Sequence, residues 1–186
     1  GWTAKAHIAV VREVFGPGDW MRGPGDDGAV VPVGAETVIA CGEAILPAFV
    51  EHDPYGAGIA AVLTNVNDVA AMGAVPLAIV DTIVGPTETC RAVLDGMRFA
   101  SELYEVPVVG GHLTNSADRV ALSAFALGRC PGPALSATGV APGQRLSLIV
   151  CLEGRMRADF PFFPSFDERG RELAGDIRLL ADLAAD

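Results

Sequence analysis

Apolar and polar positions along the chain fall into short runs, each closed by glycine or proline. Ile8–Phe15 carries a brief helical pattern. Ala29–Val33 and Thr37–Cys41 read as two strands of a hairpin turning at Gly34-Ala35-Glu36, with Pro32 near a strand end. His52-Asp53-Pro54 opens a helix, with Asp53 as its N-cap and Pro54 at the first helical position. That helix runs to about Met72 and stops at Gly73. It is apolar nearly all round, which predicts burial. Pro76–Val84 reads as a strand. From Thr87 to Tyr104, Cys90, Val93, Leu94, Met97, Ala100 and Leu103 recur at helical spacing, with charges on the other side. Val106–Val109 is a short strand ending in Gly110-Gly111, and Val120–Gly128, apolar on both faces, is predicted to be central. A turn at Gly139–Gly143 leads into a strand over Arg145–Leu152.

After Leu152 the pattern changes. Glu153–Asp167 holds Phe160, Phe162, Phe163 and Phe166 together with Pro161 and Pro164, and reads as a linker packed on a domain surface. Glu168–Asp186 reads as one amphipathic helix with Leu173, Ile177, Leu180 and Ala184 on one face. The expected organisation is a domain over residues 1–152, followed at 153–186 by a linker and the start of a C-terminal domain that is otherwise absent.

Composition narrows the function classes. Apolar residues make up 51% of the 186, enough for a real core, and charged residues only 19%. The net charge of −10 argues against nucleic-acid binding and against an anionic membrane surface. A polyphosphate remains compatible with it if a divalent metal bridges the charges. The longest apolar stretch, Gly56–Met72, is too short to span a bilayer and is interrupted by Asn65, Asn67 and Asp68. The N-terminus lacks the apolar core of a signal peptide. Cys41, Cys90, Cys130 and Cys151 are widely spaced, with no CxxC pair. A soluble, cytoplasmic protein with reduced thiols is expected.

Four groups of residues can carry chemistry. In Gly25-Asp26-Asp27-Gly28, two carboxylates between glycines suit a hard cation, although a solvated acidic turn has the same composition. Glu43 lies just past the strand Thr37–Cys41, a position used by ligands and by ordinary surface residues alike. Asn65 and Asp68 share a face of an otherwise apolar helix, and no Lys or Arg occurs from Glu51 to Thr89. A buried carboxylate without a cation is costly, so Asp68 calls for a metal, a distant Arg or strong hydrogen bonds. Gly110-Gly111-His112 follows a strand, where a Gly-Gly corner can expose backbone N–H groups to a ligand. His112 can be a ligand or an acid/base, although a lone histidine is most often a plain loop residue. The other histidines, His7 and His52, sit in no nucleophile motif, and there is neither a Walker A sequence nor a GxGxxG.

In order along the chain, Gly25-Asp26-Asp27-Gly28-Ala29-Val30, Asp53-Pro54-Tyr55, Asn65-Val66-Asn67-Asp68-Val69-Ala70-Ala71-Met72-Gly73-Ala74-Val75-Pro76, Gly110-Gly111 and Ala141-Pro142-Gly143 resemble one known family. It is the N-terminal domain of the aminoimidazole ribonucleotide synthetase (PurM-like) superfamily. Relatives include thiamine-monophosphate kinase, selenophosphate synthetase and the hydrogenase-maturation carbamoyl dehydratase. The resemblance covers about residues 20–152. It implies an α/β (α+β) fold with a mostly antiparallel, mixed sheet and helices on one face, the sheet pairing into a barrel across a homodimer.

The same resemblance implies ATP and Mg2+ as cofactors and phosphoryl transfer to a small-molecule acceptor, often activating an amide or carboxamide oxygen. By position, Asp27 and Asp68 would hold magnesium with Asp26 beside them, Glu43 would stand where relatives carry an aspartate, and Asn65, Gly110, Gly111 and His112 would border the nucleotide. Three departures stand out. His112 replaces the aspartate of Gly-Gly-Asp, Gly42-Glu43 replaces Thr-Asp, and Ala60 replaces a helical lysine. Histidine favours softer cations than magnesium. A non-catalytic nucleotide-binding or dimerisation module is the alternative reading, and a metal-dependent hydrolase using His112 a third.

Overall fold

The computed structural model describes residues 8–16, 25–136, 140–144, 152, 154–158 and 164–185. The main elements in chain order are α1 (Ile8–Phe15), β1 (Ala29–Val33), β2 (Glu36–Ile45), α2 (Pro47–His52), α3 (Pro54–Ala71), β3 (Val75–Gly85), α4 (Thr87–Tyr104), β4 (Val108–Asn115) and β5 (Ala121–Cys130). The strands form one mixed sheet in the order β1-β2-β5-β3-β4. Among the described strands, only β3 and β4 pair in parallel, joined by the crossover helix α4. The fold class expected from the sequence therefore holds: a mixed sheet with α3 and α4 packed on one face.

Local chemistry explains the long helices. Asp53 accepts a hydrogen bond from the Gly56 N–H at 2.8 Å and caps α3, while Pro54 fills the first turn. Gly73, at φ +71°, turns the chain out of α3. α3 is buried along most of its length because it packs against both the sheet and α4. Two glycines set the closeness of that helix pair. A Cβ at Gly58 would lie 2.1 Å from the Val93 carbonyl oxygen, and one at Gly96 would lie 2.0 Å from that of Tyr55. Val62, Val66, Val69, Ile79, Ile83, Val93, Met97 and Leu122 form the centre of the core.

Three expectations are corrected. β2 does not end at Cys41 but continues through Gly42 to Ile45, because its antiparallel ladder with β5 runs on to Ile45 and Leu122. Gly42 suits that position, since the Phe125 ring of β5 lies across it, 2.3 Å from where a Cβ would stand. Gly110 and Gly111 likewise form no corner. They sit inside β4, opposite Val80 and Asp81 of β3. The expected single C-terminal helix is broken into α5 (Phe166–Arg169), a 3-10 turn (Gly170–Glu172), α6 (Leu173–Asp176) and α7 (Leu179–Ala185). Gly170 adopts φ +56°, a conformation that no helix continues through.

The expected strand at 145–152 and the aromatic residues Phe160, Phe162 and Phe163 lie outside the described residues, apart from Leu152. Phe166 is described and buried, with its ring 6.1 Å from that of Phe99. Arg178 donates to the carbonyls of Tyr104 and Glu105, each at 3.4 Å, and so caps the end of α4. Ala184 packs against Gly73 and Gly132. The described C-terminal segment thus lies on the ends of α3 and α4.

Candidate functional site: an acidic face at the end of helix α3

Cys41 is a convenient reference point, because three carboxylates from three different elements act on it. Burial pushes its thiol pKa up to about 12, and the charges of Asp68, Glu43 and Asp27 push the same way. Asp27 comes from the loop before β1, Glu43 from β2 and Asp68 from the last turns of α3. The charges of three of the four carboxylates singled out in the sequence thus reach one half-buried thiol. That thiol donates to Asn65 Oδ1 at 3.4 Å. The Asn65 amide in turn donates to the Ala61 carbonyl at 2.8 Å. Asn65 is completely buried and holds α3 to β2. Its neighbour Asn67 is exposed.

Asp26 completes the loop. Its carboxylate accepts a hydrogen bond from the Ser136 hydroxyl at 2.7 Å. Gly25 supplies a φ of +137°, and Gly28 lets the loop lie against β2, since a Cβ there would meet Ile39 at 2.6 Å. The result is a cavity of about 360 Å³ lined by Gly25, Asp26, Asp27, Met72, Leu135 and Ser136. It opens at the carboxyl end of α3, where the helix dipole is negative and the last turn holds no basic residue. Carboxylates and dipole together favour a cation there.

Asp81 was missed in the sequence. It is only 7% exposed, and burial raises its pKa above the usual carboxylate value. It has no hydrogen-bond or ion-pair partner among the described residues, yet its oxygens are not sealed off from solvent. Across the sheet, Gly111, Asp81, Ala124 and Glu43 form one row on the helix-covered face. The Asp81 carboxylate lies against Gly111, 2.5 Å from where a Cβ would stand, so any other residue at that position would have to displace it. Ala124, between Asp81 and Glu43, is completely buried. The clue was available: Asp81 interrupts an apolar strand within the same stretch, Glu51 to Thr89, that lacks any Lys or Arg.

Gly110 and His112 are not brought to this cluster within the protomer. His112 is opposite Thr82, one residue beyond the Asp81 row, and so projects from the other face of the sheet. Among the described residues, no three His, Cys, Asp or Glu side chains converge closely enough to hold one ion by themselves.

Comparison with known proteins follows the same lines. Residues 25–130 match the family of AIR synthase related proteins, N-terminal domain. An uncharacterized protein of Synechocystis is 32% identical over 152 residues, which is 81% of this chain and 47% of that protein. Thiamine-monophosphate kinase of Methanocaldococcus jannaschii is 32% identical over 124 residues, 61% of this chain and 38% of the relative. Among solved structures, T. maritima PurL complexed with ATP superposes with a TM-score of 0.57 at 22% identity, covering 65% of this chain and 23% of PurL. The chain spans less than half the length of these proteins. Its motifs, its mixed five-stranded sheet and the matched span of 25–130 agree: the chain belongs to the AIR synthase related protein family, through that family's N-terminal domain.

Proposed function

We propose that this chain binds Mg-ATP at the acidic face and takes part in phosphoryl transfer to a small-molecule acceptor, activating an amide or carboxamide oxygen. The observations that carry the reading are the cavity at the carboxyl end of α3, lined by Asp26 and Asp27, and the charges of Asp27, Glu43 and Asp68 that all reach Cys41. The donor set fits magnesium. It consists of oxygens only, since the Cys41 thiol is held protonated and Asn65 is already engaged. The spread of the carboxylates fits too, because Mg2+ commonly takes one or two carboxylates and completes its shell with waters and substrate phosphates. When bound, the metal neutralises phosphate charge and polarises the group being transferred.

The chain's own residues supply position. Asp68 and Asp27 approach from the end of α3 and the loop beside it. Glu43 and Asp81 mark the sheet floor, and Ser136 orients Asp26. Phosphoryl transfer depends mostly on such placement and on charge stabilisation. A family relative, PurL, has been captured with ATP, in line with this assignment.

A second copy of the chain is part of the proposal. The sheet face opposite the helices exposes Val31, Val33, Val80, Phe125 and Leu127. This apolar surface fits another copy of itself. His112 and Thr82 would then lie at that interface. The alternative, a nucleotide-binding module without turnover, draws on His112 standing where relatives carry an aspartate. Nucleotide titration with and without Mg2+, followed by phosphate release with candidate acceptors, tests both readings. Mg-dependent binding with turnover supports the enzyme, binding without turnover supports the module, and no binding refutes both.

A further inference from the structure

We propose that the cleft between α4 and the carboxyl-terminal half of β4 is a separate binding site for a small organic anion with an apolar body. The cleft has a volume of about 320 Å³ and is lined by Gly85, Cys90, Arg91, Leu94, Leu113 and Asn115, with the hydroxyl-bearing Thr87 and Thr114 at its edges. That lies at the small end of ligand pockets, which run from ~300 to ~1,000 Å³. The cleft lies at the carboxyl ends of β3 and β4, the parallel pair among the described strands.

The lining divides into two halves. Leu94 and Leu113 present an apolar wall, and Leu113 is 54% exposed although it points to the helix side of the edge strand. Cys90 closes the floor, with its thiol directed at the Gly85 carbonyl, 3.6 Å away. The polar half is led by Arg91. Among the described residues its guanidinium has no ion-pair or hydrogen-bond partner, in a chain with ten more acidic than basic residues. Asp95, the one acid on the lining, is engaged by Arg98 at 3.1 Å. A guanidinium beside hydroxyls and an amide suits a phosphate or carboxylate, and the leucines suit the carbon body attached to it. The cleft is distinct from the acidic face: Gly85 is four residues beyond Asp81, about 13 Å along the strand.

The test uses phenyl phosphate, benzoate and neutral benzyl alcohol as probes, titrated into the intact chain and followed by amide chemical shifts and calorimetry. At least one anion should saturate with a Kd of ~1 mM or tighter, perturbing Arg91, Leu94, Leu113 and Asn115. Arg91→Gln, a substitution on the surface, should weaken it at least ~10-fold without unfolding the chain. Mg-ATP should not displace it. Preference for phenyl phosphate marks a phosphomonoester site, and preference for benzoate a carboxylate site. The proposal fails if neither anion saturates, if benzyl alcohol binds as well, if Arg91→Gln binds equally, or if Mg-ATP competes.

Discussion

Gly58→Ala tests the way the fold positions its functional helix. A methyl group at residue 58 would stand 2.1 Å from the Val93 carbonyl oxygen and 3.0 Å from the Met97 nitrogen. Both are backbone atoms inside α4, so no rotamer change relieves the contact. The helices must separate by about 1 Å, loosening contacts along the whole pair, as overpacking in a close-packed interior does at ~1–3 kcal/mol. Because only backbone movement is available, the upper end of that range applies. Replacing glycine in a helix interior returns about 1 kcal/mol. The net loss is then about 2 kcal/mol, which lowers Tm by ~4–8 °C in a chain of this size. Gly175→Ala serves as a control, since nothing lies within 4 Å of a Cβ there. It should leave Tm unchanged or raise it slightly. Gly96→Ala strains the same helix pair from the other side, so the double substitution should cost clearly less than the sum of the two. Thermal and urea unfolding measure the parent and all four variants. A Gly58→Ala protein as stable as the parent, or strict additivity with Gly96→Ala, would refute the close-approach argument.

Other consequences follow from the charges and the exposed sheet face. The raised pKa of Asp81 means that the native state keeps a proton which the unfolded chain loses near pH ~4. Stability without metal therefore falls as pH rises from there through the native pKa, and Asp81→Asn should abolish that slope while stabilising the chain at neutral pH. A pH series of urea unfolding curves shows whether the slope disappears. At pH 8 the Cys41 thiol should react slowly with a disulfide reagent, and Asp68→Asn, which removes a charge holding its pKa up, should speed that reaction. A Cys90→Ser/Cys130→Ser/Cys151→Ser background isolates the signal, and equal rates with and without the Asp68 charge would contradict the clustering. Phe125→Glu puts a charge on the exposed sheet face and should convert the proposed dimer to a monomer in sedimentation experiments run beside the parent protein. An unchanged mass would place the contact elsewhere.

Much of the fold was legible because its signals are local. Asp53, Pro54 and Gly73 delimit α3, and the spacing from Cys90 to Leu103 outlines α4 as the structure has it. Where strand limits were misjudged, the cause was glycine. Gly42, Gly110 and Gly111 look like breaks, yet Gly42 and Gly111 lie against neighbours on other strands, the Phe125 ring and the Asp81 carboxylate, while Gly110 simply continues β4 with open space beside it. Such requirements are tertiary and leave no mark on the segment itself. The same holds for the site. Asp27, Glu43 and Asp68 were recognisable singly, whereas that the charges of all three reach Cys41 depends on β2 running past Gly42. Asp81 went unnoticed because one acid in a strand resembles an edge residue until the sheet order makes β3 an inner strand. The C-terminal helix broke at Gly170, yet Leu173 and Ile177 are buried as their periodicity required.

The most direct measurement is calorimetric titration of ATP into the intact chain, with and without Mg2+, for the parent protein and for Asp68→Asn. If the carboxylates gathered around Cys41 hold the metal–nucleotide complex, binding requires Mg2+ and weakens at least ~10-fold when the Asp68 charge is removed, a loss of about 1.4 kcal/mol. Mg-independent binding, or equal affinity in Asp68→Asn, would contradict the assignment of the nucleotide to this acidic face.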